Sequence, residues 1–250
     1  MSSRVKAQKS PSRAAFCYDA RVSKHSDFWD REYQTSEHLA LSTTHSEDLE
    51  KFTRFLERGW KREFLNPYTK VLDLGCGNGR NLLYMTDAYA TQGIGYDISG
   101  VAISHARRAT GDLPIQYEAR SISEPLPLSD GSVNIVLDMM TSHFLKKAER
   151  EALRAEILRI LRPGGWLFFK SFLADEDMHV RRLLKENPAD EPGAYIHPKL
   201  GVYEYAWTED AVREFFAKDF EMHKFHKSHK HIIRGREGKR RTFSAYLQKF

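Results

Sequence analysis

Val71-Leu72-Asp73-Leu74-Gly75-Cys76-Gly77-Asn78-Gly79-Arg80 decides how this chain is read. An apolar run ends in an acid and three glycines follow at alternate positions, so a buried strand runs into a bend whose main chain is bare. At Gly77, in the middle of that bend, the missing Cβ permits positive φ and lets a ligand approach the backbone. A helical stretch from Arg80 to Ala90 follows. The bland alternative is a plain strand-to-helix turn.

Spacing narrows what the bend holds. The dinucleotide fingerprint needs its last glycine three residues after the second, so that a pyrophosphate sits on a helix N-terminus. Here the gap is two, between Gly77 and Gly79. Further on, Gly93-Ile94-Gly95-Tyr96-Asp97 reads as a short strand ending in an acid, with Ser99 as the N-cap of the next helix. A carboxylate at that place accepts both hydroxyls of a ribose, and its alternative role is a solvated acid at a strand end. Asp73-Leu74-Gly75-Cys76-Gly77-Asn78-Gly79 resembles motif I of the class I S-adenosylmethionine-dependent methyltransferases. Three other stretches carry the same resemblance: Leu126-Pro127-Leu128-Ser129-Asp130-Gly131-Ser132 with the strand Val133–Asp138, Leu161-Arg162-Pro163-Gly164-Gly165 closing the helix Lys147–Leu161, and a closing pair of strands near 220–225 and 242–247. Within the family, the type 11/12-like enzymes and the tellurite-resistance branch are the most similar.

The resemblance implies an α/β fold, a doubly wound, mostly parallel seven-stranded sheet of the Rossmann-like methyltransferase kind whose last strand is antiparallel. It implies S-adenosyl-L-methionine as cofactor, S-adenosyl-L-homocysteine as product, and a cofactor site made by Asp73, Gly75, Gly77, Asn78, Gly79, Asp97 and Ile98. Ser121 and Ile122 would flank the adenine. A backbone carbonyl near Met139 would hold the cofactor's amino group. Asn134 stands where the family usually has aspartate, and the usual acid beside the adenine is not plain, since Glu118 and Glu124 lie on either side of its place.

Ligands of open α/β sheets bind beyond the carboxyl ends of the strands, which puts the acceptor over Gly75, Asp97 and the turn Met139-Met140-Thr141-Ser142-His143. His143 is the candidate base, against the alternative of a histidine satisfied at a helix start. The connection 174–207 is the expected lid, in which Tyr195 or His197 orients the acceptor; its alternative is a helical excursion, 178–185, packed on the sheet. The helix beginning at Ser46-Glu47-Asp48, with Leu49, Phe52, Phe55 and Leu56 at helical spacing, is expected over the cofactor cleft. Tyr33, in a Trp-Asp-x-x-Tyr start, is the candidate lid residue, or else an aromatic staple of an N-terminal helix.

The 250 residues suffice for one α/β domain, expected over 26–250. Residues 1–25, basic and poor in large apolar groups, are expected as a disordered tail. Two cysteines imply no disulfide framework, and with no stretch approaching the ~20 apolar residues of a membrane span the expected setting is cytoplasmic and reducing. The net charge of +5 comes from the two ends. Lysines and arginines crowd Lys224 to Arg241, opposed by Glu237 alone, which allows RNA binding but more commonly makes a solvated loop. His223, His226, His229 and His231 lack the cysteines and the defined spacing of a zinc site, so no metal is expected. The resulting expectation is a monomer or weak homodimer that methylates a small molecule on oxygen, nitrogen, sulfur or a metalloid. An RNA or protein methyltransferase and a non-catalytic cofactor-binding scaffold are the alternatives.

Overall fold

Val71, Leu72 and Leu74 are fully buried because their strand, β1 (Lys70–Leu74), is covered on both faces, as apolar residues at both phases of the strand require. The chain is described by a computed structural model over residues 20–36, 38, 41–228, 232–233, 236–237 and 240–250. β1 pairs in parallel with β2 (Gln92–Asp97) on one side and with β4 (Val133–Met139) on the other. Beyond them lie β3 (Ile115–Ala119) and β5 (Leu161–Phe172), also parallel. The terminal strand β11 (Thr242–Lys249) is antiparallel between β5 and the edge strand β8 (Phe220–Lys227), completing the order β3-β2-β1-β4-β5-β11-β8. Two short pairs stand apart: β6 (Ala194–Ile196) with β7 (Tyr203–Tyr205), and β9 (Ile232–Ile233) with β10 (Arg236–Glu237).

Alternation along the strands sends successive side chains to opposite faces. Leu72, Val136, Leu167 and Phe169 meet α5 (Lys147–Ile160) through Leu153 and Ile157, and α7 (Glu209–Phe216) through Val212 and Phe216. On the other face Val71, Ile135, Trp166 and Phe168 meet α2 (Glu47–Trp60), α3 (Arg80–Tyr89) and α4 (Gly100–Thr110). The result is a three-layer doubly wound sandwich.

Three expectations change. The N-terminal helix α1 runs Ala20–Thr35, so ordered chain begins inside the expected tail; residues 1–19 of that tail lie outside the described residues. Helix α2 does not cover the cleft: Leu49, Phe52 and Leu56 drive it onto the sheet, where Phe52 stacks on Phe168 at 5.0 Å. The element over the carboxyl ends of the strands is α1, which packs on α4. Finally, Pro163-Gly164-Gly165 does not precede β5 but lies within it, where the pairing with β4 jumps from Val133–Leu161 to Ile135–Trp166.

The connection after β5 folds as α6 (Met178–Glu186) and the β6–β7 hairpin around a small apolar core of Val180, Leu183, Tyr195 and Ala206. It is a packed cap, and β7 sits against the one-turn helix Ser142–Phe144 that follows β4.

Candidate active site

Because β1, β2 and β4 are parallel neighbours, their carboxyl ends bring Asp73, Asp97 and Asp138 to one crevice. All three are buried, at 1%, 7% and 3% exposure. The loop after β1 crosses the crevice with Gly75, Gly77 and Gly79 at φ of 67°, 55° and 80°. Gly77 N–H donates to Asp97 Oδ2 and Ser99 N–H to Oδ1, each at 2.8 Å. A carboxylate oxygen has two lone pairs, so Asp97 keeps acceptor capacity on both oxygens. Burial pushes its carboxyl up to about 6, against the pull of the two N–H donors, and Asp30 adds repulsion.

Asp73 Oδ2 is buried with no hydrogen-bond partner. Burial, and next the charge of Asp97, push this carboxyl up to about 8; Asp138 adds repulsion while Arg80 opposes it. Asp138 accepts from Ser142 N–H at 3.1 Å and is pushed up to about 6 by burial. Three buried acids with one orphaned oxygen form a crevice that a cation relieves.

The floor and lid are equally specific. Thr141 lies where a Cβ on Gly75 would go, and the Tyr33 hydroxyl where a Cβ on Gly77 would go. Tyr33 is held well above the ordinary tyrosine range, first by burial and then by Asp97, and stays protonated. Gly79 serves packing instead: Tyr117 and Ala106 take the room beside its Cα. Asn78 Nδ2 donates to the Ser42 carbonyl at 3.0 Å. Asp30 of α1 accepts from Ser99 Oγ at 2.6 Å and Val101 N–H at 3.1 Å, tying the lid to the N-terminus of α4. Ile98 is half-buried beside Asp97, Ser121 is bonded to Ser123 at 2.8 Å, and Ile122 is buried in the sheet core. Glu118 pairs with Arg120, at 3.2 Å. Met139, at the end of β4, accepts from Asn81 through its sulfur at 3.5 Å.

Beyond the crevice, the cap brings the three candidates for acceptor chemistry close to one another. His143 is 1% exposed, and neither ring nitrogen has a partner. Burial pushes it down to about 4, opposed by Glu204 and reinforced by Arg240. Its ring lies 4.0 Å from Phe144 and 5.0 Å, edge to face, from Phe172. Tyr195 is completely buried and donates to Glu204 at 2.6 Å. Arg240 donates to Glu204 at 2.7 Å and to the Tyr195 hydroxyl, and its guanidinium lies 3.3 Å over the Phe172 ring. His197 is half-buried, its Nδ1 accepting from Leu200 N–H at 3.3 Å. Glu204, Arg240, Asp138 and Asp30 were not singled out by sequence; only the fold places them. Position near the carboxyl end of the fourth strand was a signal for Asp138, whereas Arg240 was hidden in the basic run.

His223 packs against Trp60 and Trp166 and bonds Gln248 at 3.0 Å, while His229 and His231 lie outside the described residues. Among the described residues no three His, Cys, Asp or Glu side chains form a metal-binding group. No helix among them is long and apolar enough to cross a membrane.

A Rossmann-like sheet with a glycine loop and a strand-end acid defines a nucleoside-cofactor protein. Residues 71–165 match the methyltransferase domain family. The chain is 31% identical over 101 residues to an uncharacterised methyltransferase of Synechocystis sp., covering 40% of this chain and 46% of that protein. It is 22% identical over 169 residues to a fatty-acid O-methyltransferase of Mycolicibacterium smegmatis, covering 66% and 60%. In both cases less than two thirds of the curated relative is spanned. The fold is that of a methyltransferase from Anabaena variabilis, with TM-score 0.63 at 16% identity over 99% of this chain and 100% of the other. Residues 71–165 are thus similar to a methyltransferase domain, and the sheet that carries them has the fold of solved S-adenosylmethionine-dependent methyltransferases.

Proposed function

We propose that the protein transfers a methyl group from S-adenosylmethionine to a small-molecule acceptor. The observation that carries this reading is the orphaned Asp73 Oδ2 in a crevice of three buried acids, beside a glycine loop that a Cβ at Gly77 would obstruct. The cofactor supplies an activated sulfonium methyl and carries both a sulfonium and an ammonium charge. Asp97 is suited to the ribose hydroxyls, Asp73 and the carbonyl end of β4 near Met139 to the ammonium, and Ile98, Ser121 and Ile122 to the adenine edge. Tyr33 and α1 close over the methionine end and exclude water. The chain's own task is alignment, holding donor and acceptor in line across the strand ends.

The enclosed cap favours a small acceptor over a polymer. Tyr195 and Glu204 are buried within the β6–β7 hairpin, while Trp29 and Phe144, 5.1 Å apart, are half-buried. Much of the basic run that would grip RNA lies outside the described residues. The test is incubation of the full chain with isotope-labelled methyl donor and, separately, a metabolite extract, RNA and protein. Label in the low-mass fraction is expected; label in polymer alone, or donor binding with label in none of the three, overturns the reading.

A further inference from the structure

We propose that the cap is the acceptor site and takes an uncharged, flat, protic group, a phenol or an aromatic N–H, whose proton passes to the imidazole of His143. The inference rests on the methyltransferase reading and adds to it the class of acceptor.

Three observations combine. The first is the His143 ring, buried among protein atoms with both nitrogens unpartnered. A buried polar group without a partner is destabilising, and a ligand bonded to it removes that cost. The second is charge. The ionisable groups whose fields reach His143 are Glu204 from β7 and Arg240 just before β11, with the Tyr195 hydroxyl bonded to both. Arg240, the cation whose field reaches His143, is committed to Glu204 and Tyr195 and lies flat on Phe172, so it is not open to an acceptor carboxylate beside that ring. Burial keeps His143 neutral and able to accept a proton, while the Glu204 carboxylate favours the imidazolium once it forms. The third is shape. Phe144 and Phe172 flank the imidazole, and Trp29 of the lid meets Phe144 edge to face at 5.1 Å, a setting for a ring.

The step balances without an oxidant or metal. A bond forms between the acceptor heteroatom and the methyl carbon, and the bond from that carbon to sulfur breaks. Its electron pair stays on sulfur, giving a neutral thioether, and the acceptor's proton moves to an imidazole nitrogen of His143. A carboxylate acceptor would have no proton to give and would need the guanidinium that Glu204 already holds.

The test uses the full chain with nitrogen-15-labelled histidine, saturated with S-adenosylhomocysteine, and follows the His143 ring resonances by NMR. Phenol is the probe and benzoate the counter-probe, and His143→Gln assigns the signals. Phenol is expected to shift the His143 resonances at concentrations where benzoate leaves them in place, with calorimetric affinity of His143→Gln for S-adenosylhomocysteine unchanged. Should that variant not fold, Glu204→Gln is the second: its His143 signals must titrate at lower pH than in the parent. Unmoved signals with phenol, a stronger response to benzoate, or a Glu204→Gln titration that does not fall overturns the inference. If S-adenosylhomocysteine fails to bind at all, the methyltransferase reading falls and this inference falls with it, an outcome distinct from binding with the wrong acceptor preference.

Discussion

The crevice and the cap face each other across the carboxyl ends of β4 and β5 and are built in opposite ways. The crevice is backbone and carboxylate: positive-φ glycines, N–H groups aimed at Asp97, and acids held above their ordinary range by burial. The cap is side chain on side chain: an ion pair, a tyrosine, a neutral histidine and the rings around them. In the proposed reading one takes a cation that is always the same molecule, and the other an acceptor that can vary. That division predicts that changes in one region leave the other's function nearly untouched.

The largest effect belongs to His143→Gln. Loss of a general base costs about 10²–10⁴-fold in the rate of methyl transfer to a protic acceptor, while affinity for the donor stays as in the parent; rates and calorimetry on the same preparation check this. Next is Glu204→Ala, which leaves the Arg240 charge without its partner. Because Arg240 keeps 18% of its side chain exposed, the loss in unfolding free energy is about 2–3 kcal/mol, read from urea denaturation, and donor affinity in the folded fraction is unchanged. In the crevice, Asp97→Ala weakens donor binding by about 2 kcal/mol, roughly thirtyfold in Kd, with the urea midpoint of the ligand-free protein held or raised, since a repelling buried charge is gone. An Asp97→Ala protein of parental donor affinity would remove the ribose assignment.

A smaller and more diagnostic effect comes from pH. An unfolded carboxyl titrates near ~4, whereas Asp73 in the folded chain titrates at about 8 and Asp97 and Asp138 at about 6. Between those values the folded chain retains protons that the unfolded chain has released, so the stability contributed by these groups is present in acid and is lost as pH rises through 6 and 8. The ligand-free protein is therefore expected to lose stability from about pH 5 to about pH 8, measured by urea midpoints. Over the same interval affinity for the cationic donor rises, and affinity for the thioether product, which lacks the sulfonium charge, rises less. A flat pH dependence for both ligands would show that the acids are not the cation site.

The same contrast governs what could be read from sequence. Asp73, the glycines and Asp97 were legible because their chemistry is local: a strand, a bend without side chains, and a second strand end about twenty residues on. The sheet was legible for a related reason, since alternating apolar segments and turn signals specify a parallel doubly wound order. The cap was not. Arg240 sits in a run of like charges and Glu204 in an irregular connection, and they meet only because β11 returns beside β5 and the β6–β7 hairpin folds against the turn after β4. Helix α2 was misplaced because amphipathic spacing says that a face is buried but not which surface buries it. Tyr33 was legible as a candidate lid residue or an aromatic staple, but not as the group over Gly77, a contact between segments over forty residues apart.

The central claim is that a glycine bend and buried acids make a site for a sulfonium nucleoside. Isothermal titration of the full chain with S-adenosylmethionine tests it most directly. The account predicts saturable binding at one site per chain; a folded protein that gives neither heat nor thermal shift with that ligand would contradict it.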